Sequence, residues 1–269
     1  LLRSTHPGPS FAVAALAAIL SWGFGVGLIP AILVVLSVLL NQFSVGLSND
    51  AIDAPRDQEA KRSDKPVVAG EISRAGVWAW AIIFAMVSLT LAGLIHPGVL
   101  ISQAVFLLAG WFYNLGLKST VFSALAYAVG FGALPAIISY AAHPAAFPPW
   151  WSVVIAAGLG IAAHFGNVVP DREDDAAQGV RGLPQRLPAR VAAGVLTGMI
   201  IVMAGVLVQG AGTQAFPASL PSAAVAVMVA VAGGVWALSR PQSRWAFRAS
   251  IVASLVLAAG LTGSVLLAG

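Results

Sequence analysis

The sequence has no cysteine and very little charge. Asp, Glu, Lys and Arg together make up 9% of its 269 residues, whereas hydrophobic residues make up 59%. The lack of cysteine excludes disulfide bonds and thiolate metal sites. The lack of charge excludes an ordinary soluble domain, because such a chain could not hide this much apolar surface from water. We therefore expect an integral membrane protein.

Nine apolar segments are long enough to cross a bilayer, which requires about 20 residues in a helix. They cover residues 10–28, 30–48, 76–95, 98–115, 121–142, 150–169, 191–210, 221–238 and 247–268. The first segment lacks the strongly basic start and the small-residue cleavage pattern of a removable signal, so we expect it to remain as a helix. The sequence predicts an all-α, polytopic membrane protein in which residues 1–269 form one domain.

The charged residues indicate the orientation of these segments. All 14 Lys and Arg residues precede the first segment or follow an even-numbered one, and all ten acids lie in two of the same loops. Because short cytoplasmic loops hold the basic residues, we expect a cytoplasmic N-terminus and, after nine crossings, an external C-terminus. The basic balance then reflects topology and gives no reason to expect a nucleic-acid partner. The excess of Arg over Lys is typical of a GC-rich bacterial genome, which suggests the bacterial cytoplasmic membrane.

A group of acidic residues follows the second segment, within "SNDAIDAPRDQEAKRSDKPVVAG". From Asn49 the pattern is N-D-x-x-D-x-x-x-D, and Asp50, Asp53 and Asp57 share one face of a helix as long as the helix of the second segment continues. Pro55 usually bends or ends a helix, which would place Asp57 beyond the break. The pattern favours Asp50 and Asp53 as side chains that point into one cavity.

A second acidic group follows the sixth segment, within "HFGNVVPDREDDAAQGVRGLP". Asn167, Asp171 and Asp175 again share a helix face, and Pro170 predicts a kink. Clustered aspartates at a membrane require a cation, and oxygen-only ligands favour Mg²⁺. The neighbouring basic residues would be surplus for a bare metal ion but suit a metal-bound diphosphate. These residues are Arg56, Lys61, Arg62, Lys65, Arg181 and Arg186.

Four landmarks in this order resemble the UbiA superfamily of intramembrane prenyltransferases. They are N-D-x-x-D-x-x-x-D at 49–57, "KRSDKPVVAGEIS" after it, "YNLGLKS" at 113–119, and D-x-x-x-D at 171–175 before "GVRGLP". The resemblance implies nine helices around a central cavity capped by the two acidic cytoplasmic loops. It also implies that Mg²⁺ joins both aspartate motifs to the diphosphate of an isoprenoid donor.

The same resemblance implies a role for individual residues. Asp50, Asp53, Asp57, Asp171 and Asp175 would hold the metal, with Asp53 and Asp171 also catalytic. Lys118 and Tyr113 would act in catalysis, as in the family's loop after the fourth helix. The diphosphate and cofactor contacts would come from a further set: Asn49, Arg62, Lys65, Asn167 and Arg181. The second motif reads D-R-E-D-D, so Asp174 competes with Asp175 as the ligand, although the spacing favours Asp175.

The resemblance implies transfer of a prenyl group from an isoprenyl diphosphate to an acceptor, which is an aromatic ring or another lipid, within the membrane. Terpene cyclisation and phosphoribosyl transfer to a polyprenyl phosphate remain alternatives within the family. A secondary transporter with ion-binding aspartates at broken helices is a further alternative. The acids argue against it, because they lie at cytoplasmic ends and not at the membrane midplane. The acceptor, the prenyl length and the oligomeric state stay open.

Other polar residues have simpler interpretations. Asn41 and Gln42 are expected to form interhelical hydrogen bonds, with cavity lining as the alternative. His164 is expected to be either a buried, hydrogen-bonded histidine or a site residue on the side of Asn167. His6 lies in a His-Pro-Gly-Pro sequence that predicts the turn at the start of the first helix and not a ligand.

Overall fold

A computed structural model describes residues 1–63, 65–168, 179–240 and 244–268. These residues form helices and no strand. The helices are α1 (Pro7–Gly23), α2 (Leu28–Glu59), α3 (Arg74–Ile95), α4 (Pro97–Asn114), α5 (Ser123–Ser139), α6 (Trp150–Val168), the short α7 (Leu183–Arg186), α8 (Ala189–Ala211), α9 (Phe216–Ser239) and α10 (Arg244–Ala268). The prediction of an all-α chain is confirmed for this part of the molecule.

Each of the nine predicted segments overlaps one of the long helices. By length and composition, six helical stretches are long and apolar enough to cross a membrane, and they lie in α2, α3, α6, α8, α9 and α10. The other three long helices are α1, α4 and α5. Two of these, α1 and α5, are apolar helices of 17 residues each.

Helix α2 contradicts one boundary taken from the sequence. It continues through Pro55 to Glu59, well past the predicted end of the second segment at residue 48, so Asp57 lies within the helix and not beyond a break. A proline lacks the N–H that would bond the carbonyl four residues earlier, which here belongs to Ala51. Arg74 Nε donates to that carbonyl oxygen at 2.8 Å, so the side chain of α3 supplies the missing partner.

The end of α2 then turns the chain back toward the helix. Lys61 adopts a left-handed conformation with φ 53°, and its N–H bonds Gln58 O. The N–H of Arg62 bonds Asp57 O at 3.0 Å. These two bonds are the Schellman pattern that closes helix C-termini, and the turn is followed by Lys65, which contacts Asp50 of α2.

The long helices are arranged in a ring. Helices that follow one another along the chain pack together, and α10 packs against α1 as well as α6 and α8. The interior contains small and branched apolar residues such as Ala17, Val34, Ile137 and Leu257, whereas large apolar side chains such as Leu28, Leu94 and Met228 are exposed on the outside. An apolar outer surface is the one that a lipid environment requires.

Polar contacts tie α2 to α3 and α4 inside the apolar region. Ser37 and Ser88 each donate to the other's backbone carbonyl, and Gln103 Nε2 donates to Ser37 O and Ser88 Oγ. Asn41 Nδ2 donates to Gln103 O at 3.4 Å, so the interhelical interpretation of Asn41 is confirmed. Gln42 Nε2 lies 3.5 Å from Asn41 Oδ1. This network fixes the position of α2, on which the candidate site lies.

Candidate functional site

Four polar side chains of α2 form what we call the acidic face: Asn49, Asp50, Asp53 and Asp57. Their positions i, i+1, i+4 and i+8 fall on adjacent parts of one helix surface. The three carboxylates are only 3%, 9% and 2% exposed, respectively. Buried carboxylates require partners of opposite charge. The structure brings those partners from three other parts of the chain.

Lys118 is the partner of Asp53. Its ammonium lies 2.6 Å from Asp53 Oδ1, 2.7 Å from Oδ2 and 3.1 Å from Asn49 Oδ1. It is 8% exposed, and burial lowers the pKa of Lys118 below its ordinary value while Asp53 opposes the shift. Arg56 adds a second cation, with Nη2 at 3.1 Å from Asp53 Oδ2.

Local structure explains how Lys118 reaches the acidic face. Asn114, at the end of α4, donates through Nδ2 to Val45 O and Ser48 Oγ of α2, which holds the two helices together. Gly116 then has φ 146°, a backbone conformation that favours glycine. The 3₁₀ turn Leu117–Ser119 follows and directs Lys118 inward.

Asp50 has two partners. Lys65 Nζ donates to its Oδ1 at 2.9 Å, and His6 Nε2 lies 3.2 Å from the same oxygen. The return of the chain after Lys61 brings Lys65 into position. Asp57 is paired with Arg62, whose Nη1 lies 3.8 Å from Asp57 Oδ1. The structure therefore brings together seven residues selected from the sequence: Asn49, Asp50, Asp53, Asp57, Arg62, Lys65 and Lys118.

His6 is a site residue that the sequence interpretation missed. It does begin α1, as the turn prediction required, with φ 49°. Its imidazole also contacts Asp50, which lies 44 residues further along the chain. The segment that carries it packs closely, because Thr5 O lies 2.7 Å from where a Cβ of Gly46 would be. The sequence interpretation missed this contact because the neighbouring prolines already explain the turn, so His6 needed no further role.

The second acidic motif lies largely outside the described residues, which stop at 168 and resume at 179. Asp171, Asp174 and Asp175 therefore remain predictions. Asn167 is described and is exposed in the last turn of α6. Arg181 is also exposed, and its backbone carbonyl accepts a hydrogen bond from Arg186 Nε at 2.8 Å.

The loop that follows this motif lies close to Lys118. A Cβ on Gly182 would be 2.5 Å from Lys118 O, so the two backbones touch. The next N–H, from Leu183, donates to Ser123 Oγ at 2.9 Å. Ser123 Oγ is also 2.9 Å from Nε2 of His164, which is fully buried in α6. Through these contacts, α6 and the loop after it are fixed next to the residue that pairs with Asp53.

Tyr113 lies in a group of aromatic side chains. Its ring packs edge-on against Tyr127 and His164, with centroid distances of 5.2 and 5.6 Å. His164 stacks on Tyr127 at 4.6 Å. The first alternative for His164, a buried and hydrogen-bonded histidine, agrees with these contacts. The aromatic group lies beside Ser123, five residues after Lys118.

The donor chemistry of the acidic face suits a hard divalent cation. Asn49, Asp50 and Asp53 offer oxygen atoms, which Mg²⁺ prefers. Within the described ranges, however, no group of three His, Cys, Asp or Glu residues converges closely enough to hold a metal ion. Asp50, Asp53 and Asp57 each face a basic side chain in this arrangement. A metal ion bound here would require oxygens from elsewhere and a rearrangement of the ion pairs.

The fold is shared with solved membrane proteins. A UbiA homolog from Aeropyrum pernix K1 superposes with a TM-score of 0.77 at 17% identity, covering 95% of this chain and 97% of that one. A UbiA homolog from Archaeoglobus fulgidus bound to GPP and Mg²⁺ gives 0.74 at 19% identity, covering 98% of both. A digeranylgeranylglyceryl phosphate synthase gives 0.70 at 16% identity, covering 100% and 96%.

Residues 10–261 match the model of the UbiA prenyltransferase family. The chain belongs to this family, which is membrane-embedded and whose members are Mg²⁺-dependent prenyltransferases. The resemblance drawn from the motifs is thereby confirmed, as are the enzyme class and the cofactor expected of the family. No curated protein sequence matched the chain.

Proposed function

We propose that this chain transfers a prenyl group from an isoprenyl diphosphate to an acceptor within the membrane, with Mg²⁺ as cofactor. The acceptor is an aromatic ring, as in a quinone precursor, or another lipid. The observation that supports this most directly is the matched arrangement of the acidic face. Each carboxylate has a basic partner from the same end of the molecule. The carboxylates suit a cation and the basic side chains suit a polyanion, so the site can take both.

Each side of this arrangement has a task. Asn49, Asp50, Asp53 and Asp57, with Asp171 and Asp175 from the second motif, would hold Mg²⁺ and place it on the diphosphate. A Mg²⁺ ion held there would neutralise the charge that develops on the leaving diphosphate. Lys65, Lys118, Arg62 and Arg181 would bind the non-bridging oxygens. Asn167 would orient the second motif, and Tyr113 would line the route to the allylic carbon.

The remaining steps need a site shielded from water. An allylic cation is captured by water unless the acceptor reaches it first, so the apolar ring of helices protects the reaction. The carbon–oxygen bond to diphosphate breaks, the acceptor attacks the allylic cation, and the acceptor then loses its proton to a water molecule or to one of the acidic side chains. We place the site at the cytoplasmic end of nine transmembrane helices around a central cavity. The N-terminus would then be cytoplasmic and the C-terminus external, in a bacterial cytoplasmic membrane.

Product analysis tests the proposal. Purified protein in lipid vesicles is incubated with Mg²⁺ and radiolabelled geranyl diphosphate, with and without a panel of phenols, quinols and lipid alcohols. We expect label to enter one acceptor class, and diphosphate release to depend on that acceptor. A cyclic hydrocarbon formed without an acceptor would instead support the terpene cyclase alternative. Ion flux across the vesicles without any product would support the transporter alternative.

A substitution at Asp53 tests whether its charge acts in the reaction. Asp53→Asn keeps the size of the side chain but removes its charge and replaces one acceptor oxygen with a donor amide group. We expect product formation to fall by roughly two orders of magnitude or more, since the variant loses a charge that acts on the transition state. Glu71→Gln is the control, because Glu71 pairs with Arg3 at an exposed position near the same end of the molecule.

A further inference from the structure

The ammonium of Lys118 is coordinated much as a metal ion would be. Three oxygen atoms, two from Asp53 and one from Asn49, lie between 2.6 and 3.1 Å from its nitrogen. Asn49 and Asp53 belong to the residues expected to act in Mg²⁺ and diphosphate binding. The side chain is almost completely buried, so few water molecules compete for the same oxygens.

Lys118 differs in this respect from the other cations of the site. Arg56 lies on α2 itself and is about one-third exposed. Arg62 Nη1 lies 3.8 Å from Asp57 Oδ1, and the side chain is similarly exposed. Lys65 reaches Asp50 Oδ1 from the loop after α2 and is 16% exposed. Lys118 reaches the acidic face from the loop after α4, is less exposed than any of these three, and contacts both oxygens of one carboxylate. It also has a flexible four-carbon stem, which lets the charge move without movement of the backbone.

We infer that Lys118 is the resident counter-ion of the metal-free site, and that a divalent cation and Lys118 compete for the oxygens of Asp53 and Asn49. This inference rests on the proposed function. Diphosphate gives the displaced ammonium a new partner. Metal and diphosphate therefore bind cooperatively, and Lys118 couples the two events.

The physical reason is the cost of like charges in a buried site. An ammonium and a divalent cation on the same oxygens repel each other strongly where water is scarce. A metal ion that arrives alone must push Lys118 away from Asp53, leaving a buried charge that is costly. When diphosphate arrives with the metal, the anionic oxygens of the diphosphate pair with the ammonium of Lys118. By thermodynamic linkage, the metal increases the affinity for diphosphate by the same factor as diphosphate increases the affinity for the metal.

The coupling gives the enzyme a defined ligand-free state. The carboxylates are neutralised in the absence of substrate, so the acidic face stays folded without metal. Bare Mg²⁺ would occupy the site poorly, and the metal would be drawn in with the isoprenyl diphosphate. Asp53 would keep Arg56 as a partner if Lys118 lost its charge, which makes neutral variants of Lys118 suitable for a test.

Equilibrium dialysis with Mn²⁺ and inorganic pyrophosphate tests the inference without any turnover. Wild type is compared with Lys118→Met, with Lys118→Gln as a second variant that keeps a polar contact, and with Arg190→Met as a control. Arg190 is an exposed cation at the start of α8. Circular dichroism and thermal unfolding establish that each variant is folded.

We expect wild type and Arg190→Met to bind Mn²⁺ alone weakly, and at least tenfold more tightly when pyrophosphate is saturating, after correction for the Mn²⁺–pyrophosphate complex in solution. We expect both Lys118 variants to bind Mn²⁺ alone at least tenfold more tightly than wild type and to lose most of the coupling. Equal or weaker binding of Mn²⁺ alone by both Lys118 variants would overturn the inference but leave the proposed function intact. If no protein bound Mn²⁺ or pyrophosphate saturably, alone or together, the proposed function would fail as well.

Discussion

His6 Nε2 lies 3.2 Å from Asp50 Oδ1, so the residue that precedes the first helix contacts the acidic face of the second. Lys65 donates to the same oxygen from the loop after α2. Asp50 therefore joins three segments of the chain. The contact is held in place by the close packing of Thr5 on Gly46 and by Ser10 Oγ, which donates to Thr5 O at 2.9 Å.

We predict that His6 positions Asp50 for ligand binding. His6→Ala should raise the KM for the isoprenyl diphosphate about fivefold, the effect of one lost hydrogen bond worth about 1 kcal/mol, with a smaller change in kcat. His6→Asn should retain more of the affinity, because asparagine tolerates the left-handed backbone and keeps a polar side chain. Steady-state kinetics at several Mg²⁺ concentrations measure both quantities. Equal KM values for wild type and His6→Ala would show that the contact has no such role.

The bond from Arg74 to Ala51 leads to a prediction about stability. Arg74→Met removes the donor and leaves a buried carbonyl unpaired, which should cost about 1–3 kcal/mol. In a Pro55→Ala background, residue 55 supplies its own N–H to Ala51 O, so the same Arg74→Met change should cost less. Thermal unfolding of the four proteins in one detergent gives the double-mutant cycle. If Arg74→Met costs the same stability in both backgrounds, Arg74 does not compensate for the N–H that Pro55 lacks.

The Lys118–Asp53 pair allows a second cycle that separates stability from activity. Asp53→Asn leaves the buried ammonium without a full negative partner, and removing one member of a buried pair costs about 3–5 kcal/mol. Adding Lys118→Met should recover most of this loss, because neither charge then remains. Prenyl transfer should stay absent in the double variant. Recovery of unfolding temperature without recovery of product, measured on the same preparations, is the expected result.

Lys61 provides a test of backbone strain. A left-handed conformation costs a non-glycine residue about 1–2 kcal/mol, so Lys61→Gly should raise the unfolding temperature. Lys61→Ala is the matched control, since it removes the same charge but keeps the strain. A rise of a few degrees in the glycine variant alone would agree with the structure. An equal rise in both would mean that the charge, and not the backbone, is responsible.

The sequence allowed most of the acidic face to be predicted, because helix periodicity and charge are local properties. Asp50 and Asp53 could be predicted from their spacing along α2 alone. Asp57 was misplaced, since the proline rule is also local and the donor that compensates Pro55 comes from Arg74, 23 residues beyond Ala51.

Contacts between distant segments were harder to predict. His6 was missed because nothing near it in the sequence signals a carboxylate 44 residues away. Lys118 was found through its motif, but its three oxygen contacts depend on how α4 packs against α2. The sequence also could not separate the two interpretations of His164. Its contacts with Ser123 and Tyr127 arise only when α5 and α6 pack together.

Because the backbones of Gly182 and Lys118 are in contact, the size of the side chain at position 182 determines how closely they can approach. A methyl group there would wedge the loop away from the lysine and would act on the geometry of the charged centre without altering any charge. Substitutions of graded size at this one residue thus offer a way to vary the distance between Lys118 and the loop after α6, and to ask how product formation changes with that distance.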